Sequence, residues 1–169
     1  LSQLNLNWRE RDLPERERTK HVHRLHPYLG KFIPQLAEIF LRKYFRPGNT
    51  VLDPFVGSGT TLIQANELSV NAIGYDISAF NVMLARAKTK LYALKTVQRE
   101  ILDVLDKVRQ STQATGYQPS LWGNDHDNEQ VISKNEYLRK WFAPQALQEL
   151  LIYRDLIPCY DDQDILRVI

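Results

Sequence analysis

A glycine-rich turn constrains the fold of this chain more than any other feature of its sequence. Residues 51–61 read Val-Leu-Asp-Pro-Phe-Val-Gly-Ser-Gly-Thr-Thr. The β-branched and apolar residues at 50–52 predict a buried strand, and a helix is expected to begin at Thr60. Glycines between them adopt backbone angles that other residues resist, and they let a ligand approach the main chain. Open α/β sheets bind ligands at this place, where a strand ends.

The segments around this turn predict alternating strands and helices. Apolar residues at helical spacing indicate a helix over 32–45, before the first strand. Residues 71–76 form a second short β-prone segment that ends in an acid. Ser78 is a candidate N-cap for a helix over 79–90. This order is typical of a parallel sheet, so we predict an α/β fold with few parallel strands and many helices.

The chain beyond Lys90 changes character, and we expect it to be helical with no further strand after Asp76. The predicted order begins with a helix around 97–108 and a long loop over 111–130. A short helix over 137–142 and a helix that begins at Pro144 follow. Asp164 is the predicted N-cap of a last helix over 165–169.

Size and composition exclude several classes of protein. The 169 residues suffice for one domain with a core, and 43% hydrophobic with 25% charged residues is ordinary for a globular protein. No run approaches the roughly 20 apolar residues that span a bilayer. The single cysteine, Cys159, allows neither an internal disulfide nor a cysteine-based zinc site. A cytoplasmic protein without membrane contact is therefore the expectation.

The N-terminal part of the chain is basic. Residues 1–46 hold ten lysine or arginine residues against five acids. Residues 1–20 show little periodicity and read as an arm, with Trp8 and Leu13 as possible anchors. Such an arm contacts a polyanion or is simply solvated, and both interpretations stay open.

Two acidic residues beside the glycine turn indicate which class of ligand the turn could bind. Asp53 ends the first strand and Asp76 ends the second, and an acid at this second position accepts hydrogen bonds from a ribose diol. A phosphate-binding loop needs a lysine after its last glycine, but Gly59 is followed by threonine. The dinucleotide fingerprint needs a third glycine where Leu62 stands. A tight turn without any ligand is the competing interpretation.

Three segments together resemble one enzyme family. Residues 53–61 resemble motif I of S-adenosylmethionine (SAM)-dependent DNA methyltransferases that modify N6 of adenine or N4 of cytosine. Residues 74–77 resemble motif II of this family, and residues 26–34 resemble motif X, which closes the methionine side of the SAM pocket. The resemblance covers about residues 20–92 and implies part of a Rossmann-like class I methyltransferase fold. It divides the chain into an arm (1–20), a SAM-binding core (21–92) and a helical segment (93–169).

The resemblance also implies a site for SAM. Asp53 would face the methionine amino group and Asp76 would hold the ribose hydroxyls, while Ile77 and Phe80 would flank the adenine. Lys31 is a candidate partner for the carboxylate of SAM. The residues placed at the cofactor are Tyr28, Lys31, Asp53, Phe55, Gly57, Ser58, Gly59, Thr60, Asp76, Ile77 and Phe80.

The segment that orients the target amine in this family is not found. That segment, motif IV, reads Asp/Asn/Ser-Pro-Pro-aromatic, and the chain contains no Pro-Pro. No catalytic residue is therefore assigned. We expect the SAM-binding part of a DNA methyltransferase of a restriction–modification system, with motif IV supplied by a missing C-terminal region or a second chain. The alternatives are a fragment of a tRNA guanine-N2 methyltransferase and a non-catalytic module that binds SAM or DNA.

Two further groups of residues have simpler interpretations. His21, His23 and His26 lack an acid or cysteine at useful spacing, so we expect no metal there and favour contact with a phosphate or the pocket rim. His126 reads as a loop residue in solvent. Four aromatic residues are candidates for stacking on a base, namely Trp122, Tyr137, Trp141 and Phe142, but their helical spacing predicts that most of them lie in the core.

Overall fold

A computed structural model describes residues 8–9, 11–19, 21–26, 32–114 and 136–169. The chain divides into two compact units, of which the first comprises Leu1–Leu91 with Val168–Ile169 and the second comprises Tyr92–Arg167. No helix in the described ranges is long and apolar enough to cross a membrane.

The first unit alternates helices with two short strands, as the sequence predicts. Its described elements are α1 (Glu15–Arg18), a 3₁₀ turn (His21–Arg24), α2 (Pro34–Tyr44), β1 (Thr50–Asp53), α3 (Thr60–Glu67), β2 (Asn71–Gly74) and α4 (Ala79–Thr89). The predicted N-cap Ser78 is confirmed, because its hydroxyl accepts the Asn81 backbone N–H at 3.4 Å. The arm is less irregular than expected, since α1 follows Pro14 directly.

The two strands form a parallel sheet, and α3 connects them. Val51 lies opposite Ala72 and Leu52 lies opposite Ile73. Because side chains alternate along a strand, these pairs lie on opposite faces. Val51 belongs to a core with Leu41 of α2, Ala65 of α3 and Val70. Leu52 and Ile73 are 59% and 48% exposed.

Strand β2 is two residues shorter than predicted because the chain after Gly74 forms a hydrogen bond with the glycine turn. The Tyr75 N–H still bonds to the Asp53 carbonyl at 2.9 Å, but the Tyr75 carbonyl accepts the Val56 N–H at 2.9 Å. The strand ends at Gly74, where a Cβ would lie 2.7 Å from Val56 Cγ2. Only glycine fits between the strand and the turn, so the turn packs directly on the end of the sheet.

The second unit is helical, as the sequence predicts. It contains α5 (Leu94–Ala114), α6 (Glu136–Trp141), α7 (Pro144–Leu156), a 3₁₀ turn (Ile157–Cys159) and α8 (Gln163–Val168) among the residues described. Its core joins Val104 of α5 to Ile157 and to Leu166 of α8. The Tyr153 hydroxyl donates to the Leu166 carbonyl at 2.6 Å. Tyr160 donates to Asp103 at 2.7 Å.

Two boundaries in this unit differ from the prediction. Residues 111–114 belong to α5 and not to a loop, because Ser111 and Thr112 donate to helix carbonyls at 2.8 and 3.0 Å. The rest of the predicted loop, 115–130, lies outside the described residues. Helix α8 begins at Gln163, so Asp164 lies in its first turn and is not the N-cap.

The expectation that most of these aromatic residues lie in the core is wrong for the three that the structure describes, Tyr137, Trp141 and Phe142. Tyr137 and Trp141 are each 66% exposed, and Phe142 is exposed as well. The reason is the shortness of α6, whose six residues bury only part of Leu138. Trp122 and His126 lie outside the described residues.

Candidate functional site

A cleft of about 280 Å³ opens where the two strands end. The ends of β1 and β2, the glycine turn and the first turns of α3 and α4 form its walls. The residues that line it are Phe32, Asp53, Phe55, Val56, Gly57, Ser58, Thr60, Thr61, Asp76 and Asn81.

The glycine turn carries the chain from β1 into α3 within six residues. Asp53 Oδ1 accepts the Phe55 N–H at 3.1 Å, which turns the chain away from the sheet. Gly57 and Gly59 have φ angles of +49° and +85°. The Gly59 N–H closes the turn on the Val56 carbonyl at 2.8 Å. Gly59 is also the N-cap of α3, so the helix starts directly at the cleft.

Gly59 also brings α3 against α4. A Cβ at this position would lie 3.1 Å from both Cα and Cβ of Ala85. The left-handed backbone and the close contact both demand glycine. From the same helix, the buried Lys88 reaches the turn, and its Nζ donates to the Ser58 carbonyl at 3.1 Å. The peptide between Ser58 and Gly59 is therefore held at both its carbonyl and its N–H.

Asp76 ties the end of β2 to the glycine turn. Its Oδ2 accepts the Gly57 N–H at 2.9 Å. Its Oδ1 accepts the Ser78 N–H at 2.8 Å and Asn81 Nδ2 at 3.1 Å. The Ser78 and Gly57 amides, with Asn81, lower the pKa of Asp76 below its usual value against a smaller opposing effect of desolvation. The carboxylate is therefore ionised at neutral pH.

Two hydroxyl groups of residues that line the cleft are buried without a hydrogen-bond partner. Ser58 Oγ and Thr60 Oγ1 have no hydrogen-bond partner among the described residues. Both residues line the cleft and are nearly inaccessible to solvent. Buried hydroxyl groups rarely stay unsatisfied in folded proteins, so these two are available for a polar ligand.

The predicted site residues fall into four groups. Ile77 is fully exposed, and Phe80 lies edge-on to His26 with ring centroids 5.2 Å apart, so neither lines the cleft. Gly59 is the N-cap of α3 and is not among the residues that line the cleft. Tyr28 and Lys31 lie outside the described residues. The cleft brings together Asp53, Phe55, Gly57, Ser58, Thr60 and Asp76.

Four lining residues were not among the predicted cofactor residues. Phe32, Val56 and Thr61 lie within or beside the resembling segments, which could have indicated them. Asn81 lies outside those segments. Its position in the sequence could have indicated it, because a side chain three residues after the N-cap Ser78 can reach back toward the start of the helix.

His23 and His26 are not among the residues that line the cleft. His23 is fully buried, and its Nε2 is 3.2 Å from Gln64 Nε2, so His23 is a core residue and not a phosphate ligand. His26 contacts the ring of Phe80. Across the described residues, no group of three or more His, Cys, Asp or Glu side chains could hold a metal ion.

Comparison with known proteins assigns these features to a family. The sequence model of the N6/N4 DNA methylase family matches residues 4–87, which include the whole cleft. This chain belongs to that family. The match covers both strands, the glycine turn and most of α4.

Curated relatives of the chain are Type II methyltransferases. The chain is 32% identical to M.MjaII of Methanocaldococcus jannaschii over an alignment that covers 92% of this chain and 39% of the relative. It is 34% identical to M.MvaI of Kocuria varians and 28% identical to M.BsoBI of Geobacillus stearothermophilus. Those alignments cover 54% and 53% of this chain and 21% and 18% of the relatives.

The chain is short beside these relatives, since it spans about two fifths of M.MjaII and a smaller share of the other two. No solved structure matches it significantly.

Proposed function

We propose that this chain is the SAM-binding portion of a site-specific DNA methyltransferase that modifies an exocyclic amino group, N6 of adenine or N4 of cytosine. One observation carries the proposal. The segment matched by the DNA methylase family folds into a cleft whose walls hold an ionised Asp76, Asp53 and two buried hydroxyls without partners.

The donors and acceptors of the cleft fit the charges of SAM. The methionine carboxylate of SAM needs hydrogen-bond donors, which Ser58 Oγ and Thr60 Oγ1 supply at the start of α3. A helix N-terminus favours an anion for the same reason. Asp53 offers a carboxylate for the ammonium group, and Asp76 offers acceptors for the ribose hydroxyls.

The role of these residues is to bind and orient. SAM, when bound, supplies an electrophilic methyl group to the amino nitrogen. The rigid turn between Val56 and Gly59 fixes the position of the cofactor relative to the sheet, which lowers the entropic cost of alignment. The residues that orient the target amine are not assigned, since the chain has no Asp/Asn/Ser-Pro-Pro-aromatic segment.

A further protein segment is required to complete the sheet and the site. Parallel sheets are normally covered on both faces, yet Leu52 and Ile73 expose one face of this two-stranded sheet. The relatives are more than twice as long as the region they share with this chain. We infer that a missing C-terminal region or a second chain covers this face, supplies motif IV and target recognition, and completes a Rossmann-like class I fold.

The proposed organisation keeps an arm over 1–20, a SAM-binding core over 21–92 and a helical segment over 93–169. DNA is the proposed partner of the assembled enzyme, and the basic residues of 1–46 match its charge. The family match and the Type II relatives support DNA over tRNA as the substrate.

Titration of SAM into the 169-residue chain tests the cofactor site directly. Isothermal calorimetry should detect binding, and Asp53→Ala should weaken it about tenfold or more, because the variant lacks one charge-assisted hydrogen bond. Asp106→Ala, at an exposed position of α5, is the matched control and should bind like the wild type. Absence of binding by the wild-type chain would refute the proposal.

Methyl transfer distinguishes the substrates. The chain should be combined with the proteins encoded beside its gene and incubated with labelled SAM and either DNA or tRNA. Label in DNA supports the proposal, and label in tRNA alone contradicts it. SAM binding without transfer to either nucleic acid in any combination would indicate a non-catalytic module.

A further inference from the structure

Asn81 lines the cleft and is held there by the carboxylate of Asp76. It is the third residue of α4, and its backbone N–H is capped by Ser78. The side-chain Nδ2 donates to Asp76 Oδ1 at 3.1 Å. The reverse orientation of the amide would place its oxygen against the carboxylate, where neither group is a donor. The contact therefore fixes which end of the amide is bound and which end is available.

The carboxylate of Asp76 has few acceptor positions left for a ligand. An ionised carboxyl group offers about four lone-pair positions. The Ser78 N–H and Asn81 Nδ2 occupy both positions on Oδ1, and the Gly57 N–H occupies one on Oδ2. One position on Oδ2 remains. A ribose diol presents two hydroxyl donors, so Asp76 alone accepts only one of them without breaking a bond that holds the turn.

We propose that Asn81 Oδ1 accepts the second ribose hydroxyl, so that Asp76 and Asn81 recognise the diol together. The inference rests on the proposed SAM site. No described residue donates to Asn81 Oδ1, and the side chain is half-buried in the cleft wall. Because Nδ2 is already bound to Asp76, the amide is ordered before a ligand arrives, and binding does not have to immobilise it.

Deoxy analogues of SAM test this assignment. The wild-type chain should bind the 2′-deoxy and the 3′-deoxy analogues each about tenfold more weakly than SAM, because each lacks one hydroxyl hydrogen bond. Asn81→Lys puts an ammonium donor beside Asp76 but offers no acceptor, and it should bind SAM about tenfold more weakly than the wild type. It should bind SAM and one of the analogues equally, while the other analogue still loses affinity. Asn66→Ala, at an exposed position of α3, should behave like the wild type.

A second variant separates direct recognition from support of Asp76. Asn81→Asp keeps an acceptor oxygen but cannot donate to Asp76. Direct recognition predicts that it binds SAM more weakly overall and still discriminates against both analogues. Equal discrimination by Asn81→Lys and the wild type would overturn the assignment, since Asn81 would then act only through Asp76. Failure of the wild-type chain to bind SAM would instead refute the proposed function.

Discussion

Replacing Gly59 by alanine tests the reasoning about the glycine turn most directly. Gly59 has a φ angle of +85°, and a left-handed conformation costs a residue with a Cβ about 1–2 kcal/mol. The new Cβ also lies 3.1 Å from Cα and Cβ of Ala85, and overpacking of this kind costs about 1–3 kcal/mol. Gly59→Ala should therefore lower the free energy of unfolding by about 2–5 kcal/mol.

Gly48 provides a control with a similar φ angle and no atom close to the position of its ideal Cβ. Its φ angle is +86°, and nothing lies within 4 Å of its ideal Cβ. Gly48→Ala should cost only the conformational part, about 1–2 kcal/mol. Replacing glycine by alanine also reduces the conformational entropy of the unfolded chain, which stabilises the folded state. This effect is the same in both variants and cancels when they are compared. Urea denaturation followed by circular dichroism measures both values.

The contact with Ala85 is tested by a double-mutant cycle. Ala85→Gly removes one of the two atoms that the new Cβ approaches. The double variant should therefore be more stable than the sum of the two single changes predicts, by about 1 kcal/mol. Equal losses for Gly59→Ala and Gly48→Ala, together with additivity in the cycle, would refute the claim that close packing of α3 on α4 requires glycine.

Three further predictions concern single side chains. Because the folded-state pKa of Asp76 is lowered, its contribution to stability is fully present above the ordinary value of about 4 and is lost as pH falls through the lowered pKa. Urea unfolding from pH 2 to 6 should show this dependence, and Asp76→Asn should remove that part of it. Lys88→Met should lower the free energy of unfolding by about 1–3 kcal/mol, measured in urea, because it leaves the buried Ser58 carbonyl without this donor. Tyr153→Phe should lower it by about 1 kcal/mol in thermal unfolding, since the hydrogen bond to the Leu166 carbonyl is lost.

Matched controls accompany these variants. Lys95→Met lies at an exposed position of α5 and should change stability much less than Lys88→Met. Tyr75→Phe changes an exposed tyrosine and should be nearly neutral. A control variant that lowers stability as much as the test variant it accompanies would contradict the explanation given for that test variant.

Local signals between residues 32 and 90 were sufficient to predict the helices and strands from α2 to α4. Pro34 at the start of α2, the glycines before α3 and the serine cap of α4 each act within a few residues, so their effects can be read from the sequence. The rule that ligands bind where parallel strands end then indicated Asp53 and Asp76, and the structure places both in one cleft.

Contacts between distant residues were outside the reach of the same reasoning. The bond between Asp76 and the Gly57 N–H spans 19 residues and depends on the register of β1 with β2. The reach of Lys88 to Ser58 depends on how α4 packs against the turn. Neither arrangement leaves a pattern in the sequence, because each depends on tertiary packing.

The exposed aromatic side chains of α6 show another limit of periodicity. Spacing predicts which residues share a face of a helix, but it does not say whether anything covers that face. Tyr137 and Trp141 share a face, with ring centroids 6.0 Å apart, and both are exposed. Burial could not be inferred from their spacing alone.

The bond from Asp76 to Gly57 makes the cofactor cleft sensitive to the alignment of the two strands. Side chains alternate along a strand, so a shift of β2 by one residue would turn the Asp76 carboxylate away from the turn. A chain with such a shift would lose its ligand site even if its helices formed normally. Under the proposed function, binding of SAM would serve as a folding assay for this protein, because it would report strand registration that helix-sensitive spectroscopy does not detect.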